Sequence, residues 1–440
     1  MRYLPDFGYR ARILTTSAFG RTEREGEGGG VLRAWEPLAC YRWLLNGAVR
    51  RNKSTAAARR SDPGPASGLV RLLRRWVMIP DGQVTWLPAA AAVGLQHLRS
   101  DPAQVIYSTS PPASAHLLGM LLKSLTGLPW VADFRDSWVS DPLDPAVFDV
   151  PGRRRLERRM ERAVVTAADA VVTATEISAG LLCEFHPEVA RKIRVITNGF
   201  DPNEESASSV GAGERWQRKE GEREGGAAPS SDPGRLDIVH TGSFSLSHPQ
   251  RGPQPLFAAL HSLLREDGSW AGRIRLVLAG RLTVAEIAAA SDLCAAGVVD
   301  VRGEMGRAAC LDLQRRAGAL LLLDHRRQGG ALSSNVPGKL YEYLAAGRPI
   351  LALCGEGMVA RLVDDLQAGM RAVPDEPEAI RRLLVDAFER FRTGNLSFAA
   401  PTERLRRFHR RELARQLADC FDEVVGRVVE GGSQYQGHAS

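Results

Sequence analysis

The segment SSNVPGKLYEYLAAGRPILALCG (residues 333–355) holds the residue types that an anion site requires. A polar turn runs through Pro337 and Gly338 into a short helical pattern, and Gly347 and Pro349 then lead into an apolar strand. Proline suits a first helical turn, where the N–H it lacks has no partner anyway. The free N–H groups of such a turn attract an anion together with the helix dipole, and a glycine lets it approach the backbone. Lys339 adds a full cation there. Glu342, one turn deeper, is spaced to accept hydrogen bonds from ribose or sugar hydroxyls. Together these residues suit a nucleoside diphosphate. The same spacing also fits an ordinary helix capped by Ser334 or Asn335, with Lys339 and Glu342 on a solvated face.

Two further stretches end in turns that can do chemistry. In VIYSTSPPASAHLLG and LPWVADFRDSW, the polar clusters Ser108–Ser110 and Asp133–Asp136 follow apolar runs. Doubly wound sheets bind ligands at the carboxyl ends of their strands. Asp133, Arg135 and Asp136 are costly to bury without partners. They form either an internal ion-pair network or a set that orients an acceptor or donor sugar. His116, one turn into the next helix, is either structural or a catalytic group facing the site. In HTGSFSLSHPQRGPQPL (240–256) a strand ends at Gly242, and such glycine turns often contact phosphates. Arg251, and Arg281 in LAGRL, are the nearest cations to neutralise them.

The elements that must hold these turns alternate in type. Strands are expected at 11–16, 104–110, 129–134, 170–175 and 193–199, and a second series at 236–242, 274–280, 298–303, 319–325 and 349–355. Helical patterns, such as 113–125 and 153–168, lie between them. This alternation predicts an α/β fold with parallel sheets covered by helices on both faces. Residues 203–234, rich in Gly, Ser, Glu and Pro, read as a flexible linker or disordered insertion. The expected organisation is therefore an N-terminal Rossmann-like domain (1–202), the linker (203–234), a C-terminal domain (235–400), and a helix and tail (401–440). The charged amphipathic helix of that tail either packs back across both domains or caps the second. Polar surface loops are expected at 21–30 and 53–68. A cleft between the two domains is the expected site.

At 440 residues, 44% apolar and 25% charged, the chain is long enough for two cores and is not disordered as a whole. The 58 Lys+Arg against 51 Asp+Glu leave +7, which suits an anionic substrate, a lipid headgroup or nucleic acid, or reflects an arginine-rich proteome. Six cysteines without close Cys–Cys or Cys–His spacing suggest neither a zinc site nor a disulfide framework, so a cytoplasmic location is expected. The start MRYLPDFGYRAR has no apolar leader region. No apolar run of about 20 residues is present to span a bilayer, and Lys123 interrupts the best candidate.

In their order along the chain, six blocks resemble the family-4 glycosyltransferases of the GT-B fold. They are IYSTSPPASAHLLG, LPWVADFRDSW, ADAVVTATEISAGL, IRVITNGFD, NVPGKLYEYLAAGRPIL and the helix before ALLLL. The similarity is closest to the branch with a D-F-R-D-x-W block. The resemblance implies GT-B architecture, two Rossmann-like domains with parallel sheets facing a central cleft. It implies retaining transfer of a sugar from a nucleotide diphospho-sugar to a glycan or lipid-linked acceptor, without cofactor or bound metal, in envelope or exopolysaccharide synthesis. The partners would be donor and acceptor, with peripheral contact at the inner face of the membrane and no nucleic acid. Glu342 matches the family's ribose-holding glutamate, Gly338 and Lys339 the turn beside the diphosphate and donor sugar, and Gly242 the glycine turn facing the phosphates. Asp133 and His116 fall where first-domain cleft residues lie, and Asp136, beside Asp133 in the same polar cluster, is the third catalytic candidate. Ser334 stands where the family has the first glutamate of Glu-x7-Glu, and Ser243 where it has an arginine, leaving Arg251 and Arg281 as phosphate candidates. The chain reads as starting at the helix before the family's second strand, so the first strand is expected to be missing. Ser334 and that start support an alternative, a nucleotide-sugar-binding protein without turnover. A nucleic-acid-binding protein and a sugar-nucleotide epimerase are further readings, against which the absence of a recognised binding motif and the six blocks respectively speak.

Overall fold

The computed structural model describes residues 2–18, 30–37, 76, 78–140, 150–202, 234–247, 250–327 and 331–436. Apart from Gly30 and Gly234, the expected loops at 21–30 and 53–68 and the linker at 203–234 lie outside the described residues. Backbone contacts divide the chain into two compact units, Met1–Ile196 with Ala414–Ser440, and Thr197–Leu413.

In the first unit, β1 (Ile13–Thr16) and β2 (Val31–Ala34) pair in parallel. β3 (Ile106–Ser110), β4 (Trp130–Phe134), β5 (Ala170–Thr173) and β6 (Ile193–Val195) form a parallel sheet in that order. All residues of β4 and β5 are buried, as strands covered on both faces must be. The helices that follow are α1 (Leu87–Ser100), α2 (Ser114–Thr126), α3 (Pro151–Ala167) and α4 (Glu176–Phe185). Val164 and Val165 of α3 pack with Trp130 and Val171, while Ala90, Leu118 and Leu122 cover Ala34. Gly119 brings α2 close to the sheet: a Cβ there would lie 2.5 Å from Trp130 Nε1.

The second unit is a parallel sheet of β7 (Leu236–Thr241), β8 (Ile274–Ala279), β9 (Val299–Gly303), β10 (Ala319–Leu323), β11 (Ile350–Leu353) and β12 (Gly369–Ala372). Their spatial order is β12-β11-β10-β7-β8-β9. Its helices include α5 (Gln254–Glu266), α6 (Val284–Ala289), α7 (Arg307–Arg316), α8 (Gly338–Ala346), α9 (Met358–Asp365) and α10 (Pro377–Arg392). One apolar cluster on each face of the sheet, around Leu276 and around Leu322, gives two helical layers over one sheet.

All the expected strands are present within a few residues of their sequence bounds, and β2 and β12 are additions. The tail differs from the single charged helix expected within 401–440. A short helix, Thr402–Arg406, precedes α11 (Arg410–Gln436). The interruption has a backbone cause: Phe200 N–H donates to Phe408 O (3.0 Å) and Arg410 N–H to Phe200 O (2.9 Å). Gly199 permits the approach, since a Cβ there would lie 2.0 Å from Phe408 O.

Candidate functional site

The chain winds through β7, β8 and β9 in one direction, then returns to the other side of β7 for β10, β11 and β12. That reversal falls between β7 and β10, and the crevice of such a sheet opens at the carboxyl ends there. Gly242 follows β7 with φ +103°, and its N–H donates to Ala279 O (2.7 Å). Gly280 follows β8 with φ +153°, and a Cβ on it would sit 2.2 Å from Gly242 O. Only glycine fits both the dihedral and the space, so the two turns lie backbone against backbone.

α8 starts beside them. Its N-cap is Pro337, not Ser334 or Asn335, and no side chain of that residue caps the helix. Ser334 itself is buried. Gly338 is exposed, and a Cβ there would meet nothing within 4 Å. The ammonium of Lys339 turns toward β7, 3.0 Å from the position of a Cβ on Gly242 and 3.4 Å from His240 Nε2. His240 Nδ1 is 2.9 Å from Leu321 O on β10. A carbonyl only accepts, so Nδ1 carries the proton and Nε2 accepts from Lys339. Burial holds His240 well below its ordinary pKa, with the Lys339 charge acting in the same direction, so it is neutral. Burial first, then the charge of Arg251, lower Lys339 to about 8 against the opposing pull of Glu342.

The other cations are held differently. Arg251 donates through Nε (3.0 Å) and Nη2 (2.7 Å) to Asp324 Oδ1, just after β10. Burial would raise Asp324, but His325 and Arg251 outweigh it and hold the carboxyl below the usual range. Arg281 is exposed after β8 and makes no ion pair among the described residues. Glu342 accepts from Arg307 Nη1 (2.9 Å), with Gln314 Nε2 at 3.5 Å, and Gln314 also donates to Thr241 Oγ1 (2.9 Å). Glu342 thus stands on the helix row behind Lys339 and keeps partial exposure. The structure therefore gathers Gly242, Gly338, Lys339, Glu342 and Arg251 within one unit.

Glu286 was missed by the motif reading. Its buried carboxylate accepts from Ser245 N (3.1 Å), Ser245 Oγ (2.6 Å) and Thr283 N (2.7 Å). It pins the loop after Gly242, including the half-buried Ser243, to the start of α6. The T-x-x-E capping box at Thr283–Glu286 was the available signal.

The first-unit candidates are placed more deeply. Asp133 Oδ2 accepts from Tyr107 Oη, Thr109 Oγ1 (3.3 Å) and Arg135 Nε (2.7 Å), and Arg135 also donates to Ile196 O (2.8 Å). Burial raises the Asp133 pKa despite Arg135 and Tyr107. His116 is fully buried, 2.8 Å by Nδ1 from Ser108 Oγ, which accepts from Trp130 Nε1 (2.8 Å). Burial pushes His116 down to about 3, leaving it neutral against Phe134. Asp136 is half-buried in the turn that follows. Trp138, the last residue of the D-F-R-D-x-W block, donates to Glu157 Oε2 (2.8 Å), and Val139 N–H to Glu161 Oε2 (3.0 Å). The internal-network reading of Asp133 and Arg135 is the arrangement observed, and His116 occupies a core position.

These two sheets, parallel and helix-covered, define a GT-B fold of two Rossmann-like domains. Residues 1–199 match the model of the glycosyl transferase 4-like domain. Among solved structures, the chain is similar to sucrose-phosphate synthase from Thermosynechococcus elongatus, with 13% identity, coverage of 95% of this chain and 100% of that one, and TM-score 0.56. It is similar to a UDP-forming alpha,alpha-trehalose-phosphate synthase from Burkholderia xenovorans, with 13% identity, 96% and 100% coverage, and TM-score 0.55. The Anabaena HepE structure in complex with UDP and glucose gives 15% identity, 94% and 99% coverage, and TM-score 0.52. No curated protein matches the chain by sequence. Among the described residues, no helix is long and apolar enough to cross a membrane.

Proposed function

We propose that the chain is a retaining, metal-independent glycosyltransferase of the branch with the D-F-R-D-x-W block. On this reading it moves a sugar from a nucleotide diphospho-sugar to a glycan or lipid-linked acceptor in envelope or exopolysaccharide synthesis, at the cytoplasmic face of a membrane. The observation that carries the donor half is the approach of Lys339 to Gly242: one cation joins an open helix N-terminus to a glycine turn at the sheet's reversal point. A diphosphate lying there would receive backbone N–H groups of α8 and the ammonium, which gain strength as charge builds on the leaving group. Glu342 would hold the ribose, and Arg281, exposed after β8 and without an ion pair among the described residues, would be a further cation for the phosphates. UDP named in the HepE structure agrees with this class of ligand.

Calorimetric titration with nucleoside diphosphates and their sugar conjugates, followed by product analysis with an acceptor panel, tests the reading. Failure of every nucleoside diphosphate to bind would end it. Glu342→Ala is expected to weaken nucleotide binding about tenfold, the value of a charge-assisted hydrogen bond, and to leave free pyrophosphate binding unchanged because it has no ribose.

The sign of the pH dependence is also fixed. An anion beside Lys339 raises its pKa above the value of about 8 in the free protein, so the complex holds more protons. Diphosphate affinity is therefore expected to fall as pH rises from 7 to about 9.5, approaching tenfold per unit above 8. Phosphate groups are already ionised over that range. Titrations in two buffers of different ionisation enthalpy would show the accompanying proton uptake.

A second reading, donor binding without turnover, is favoured by the burial of Asp133 and His116 in hydrogen-bonded core positions. Diphospho-sugar binding with no hydrolysis or transfer would select it.

A further inference from the structure

We propose that the exposed face of α3 docks on an anionic lipid bilayer. The helix reads PGRRRLERRMERAVVTA, and its arginines divide into two sets. Arg153 is buried against Glu157 (2.5 Å), and Arg162 pairs with Glu188 (2.9 Å). Arg154, Arg155, Arg158 and Arg159 are exposed and make no ion pair among the described residues. Their i,i+4 spacing sets 154 above 158 and 155 above 159 on one side of the helix. The cations are therefore concentrated within about two turns, and the carboxylates of the same helix, Glu157 and Glu161, are buried and engaged elsewhere.

Apolar groups stand among them. Leu156 is 44% exposed, Phe185 38% and Trp76 53%. The Arg158 guanidinium lies 5.4 Å over the Phe185 ring, and the Trp76 ring lies 3.7 Å from where a Cβ on Gly152 would be. Guanidiniums at headgroup level with aliphatic and aromatic side chains beside them are the surface chemistry of a peripheral membrane contact. Phosphates of nucleic acid would use the cations and the rings but give Leu156 no reason to stay in water.

The position adds to the case. α3 follows β4, so its first turns stand at the carboxyl end of the first-unit sheet. Glu157 and Glu161 tie those turns to Trp138 and Val139, just past Asp133. A bilayer held on this face would bring lipid-borne groups to the end of the sheet where ligands bind. The proposal is independent of the donor-site reading.

Flotation of the full chain with phosphatidylcholine vesicles, with and without phosphatidylglycerol, tests it. Binding is expected only with the anionic lipid and is expected to weaken as salt rises. An arginine near such a surface is worth about fivefold in partition. The combined Arg154→Gln, Arg155→Gln, Arg158→Gln and Arg159→Gln variant should therefore lose at least about fiftyfold, with its circular dichroism and diphosphate affinity unchanged. The Leu156→Ser and Phe185→Ser pair should lose several-fold more from vesicles than from a single-stranded oligonucleotide. The proposal is overturned if the arginine variant floats like the parent chain. It is equally overturned if the apolar pair has no effect, or if oligonucleotide binds and vesicles do not.

Discussion

Lys339→Met should weaken nucleoside diphosphate binding by about 10- to 100-fold while leaving the melting temperature unchanged or higher. The first half follows from the loss of a charge-assisted contact, worth about 1.5–3 kcal/mol when one partner is ionised. The second follows from the ammonium's surroundings. Lys339 is partly removed from water, near the like charge of Arg251, and its pKa is lowered to about 8. Replacing it by an apolar side chain of similar length removes that cost. The open N-terminus of α8 persists in the variant, so residual binding should remain but lose its dependence on pH above 8. Scanning calorimetry and titration on the same sample check both halves. Equal losses of stability and affinity would make Lys339 a structural cation and remove the support for the diphosphate position.

The largest stability effect is expected in the first unit. Glu157→Ala takes from the buried Arg153 guanidinium the carboxylate that its Nε donates to (2.5 Å) and removes the acceptor of Trp138 Nε1. Breaking one side of a buried pair costs about 3–5 kcal/mol, because the remaining charge stays out of water. A unit of this size should then melt on the order of 10 °C lower. Glu157→Gln, which keeps an acceptor for Trp138, should fall between the two. Diphosphate affinity should not change, since every residue assigned to it belongs to the other unit. A melting curve indistinguishable from the parent would show that this ion pair contributes nothing net.

Much of this arrangement was legible in the sequence, for physical reasons. ALLLL at β10 and WVADF at β4 are apolar runs bounded by polar turns, which is how two-faced burial reads. β12 was not legible because GMRA, an edge strand with mixed burial, has no such run. β2 (VLRA) is as short, directly after a glycine run. The proline–glycine start of α8 could be read from local rules, but the turn of Lys339 toward Gly242 links residues 97 apart in sequence and depends on strand order. The same holds for Arg251, whose pairing with Asp324 spans 73 residues, and for His116, whose helix turns it toward Ser108 and Phe134. Local spacing identifies which groups have chemistry; only packing decides which of them keep it available.

The route of α11 has a practical meaning for dissecting the molecule. Residues from Ala414 onward group with the first unit, where Phe421 rests edge-on against Tyr9 and Tyr107, and Arg194 grips Glu423. The polypeptide therefore leaves the first unit near residue 196 and comes home at 414. A fragment ending at residue 202 would lack its own last helix and bare aromatic rings that the intact chain keeps covered. Separating the halves for independent study calls for grafting the 414–436 segment back through a fused linker, because no single cut yields two whole bodies.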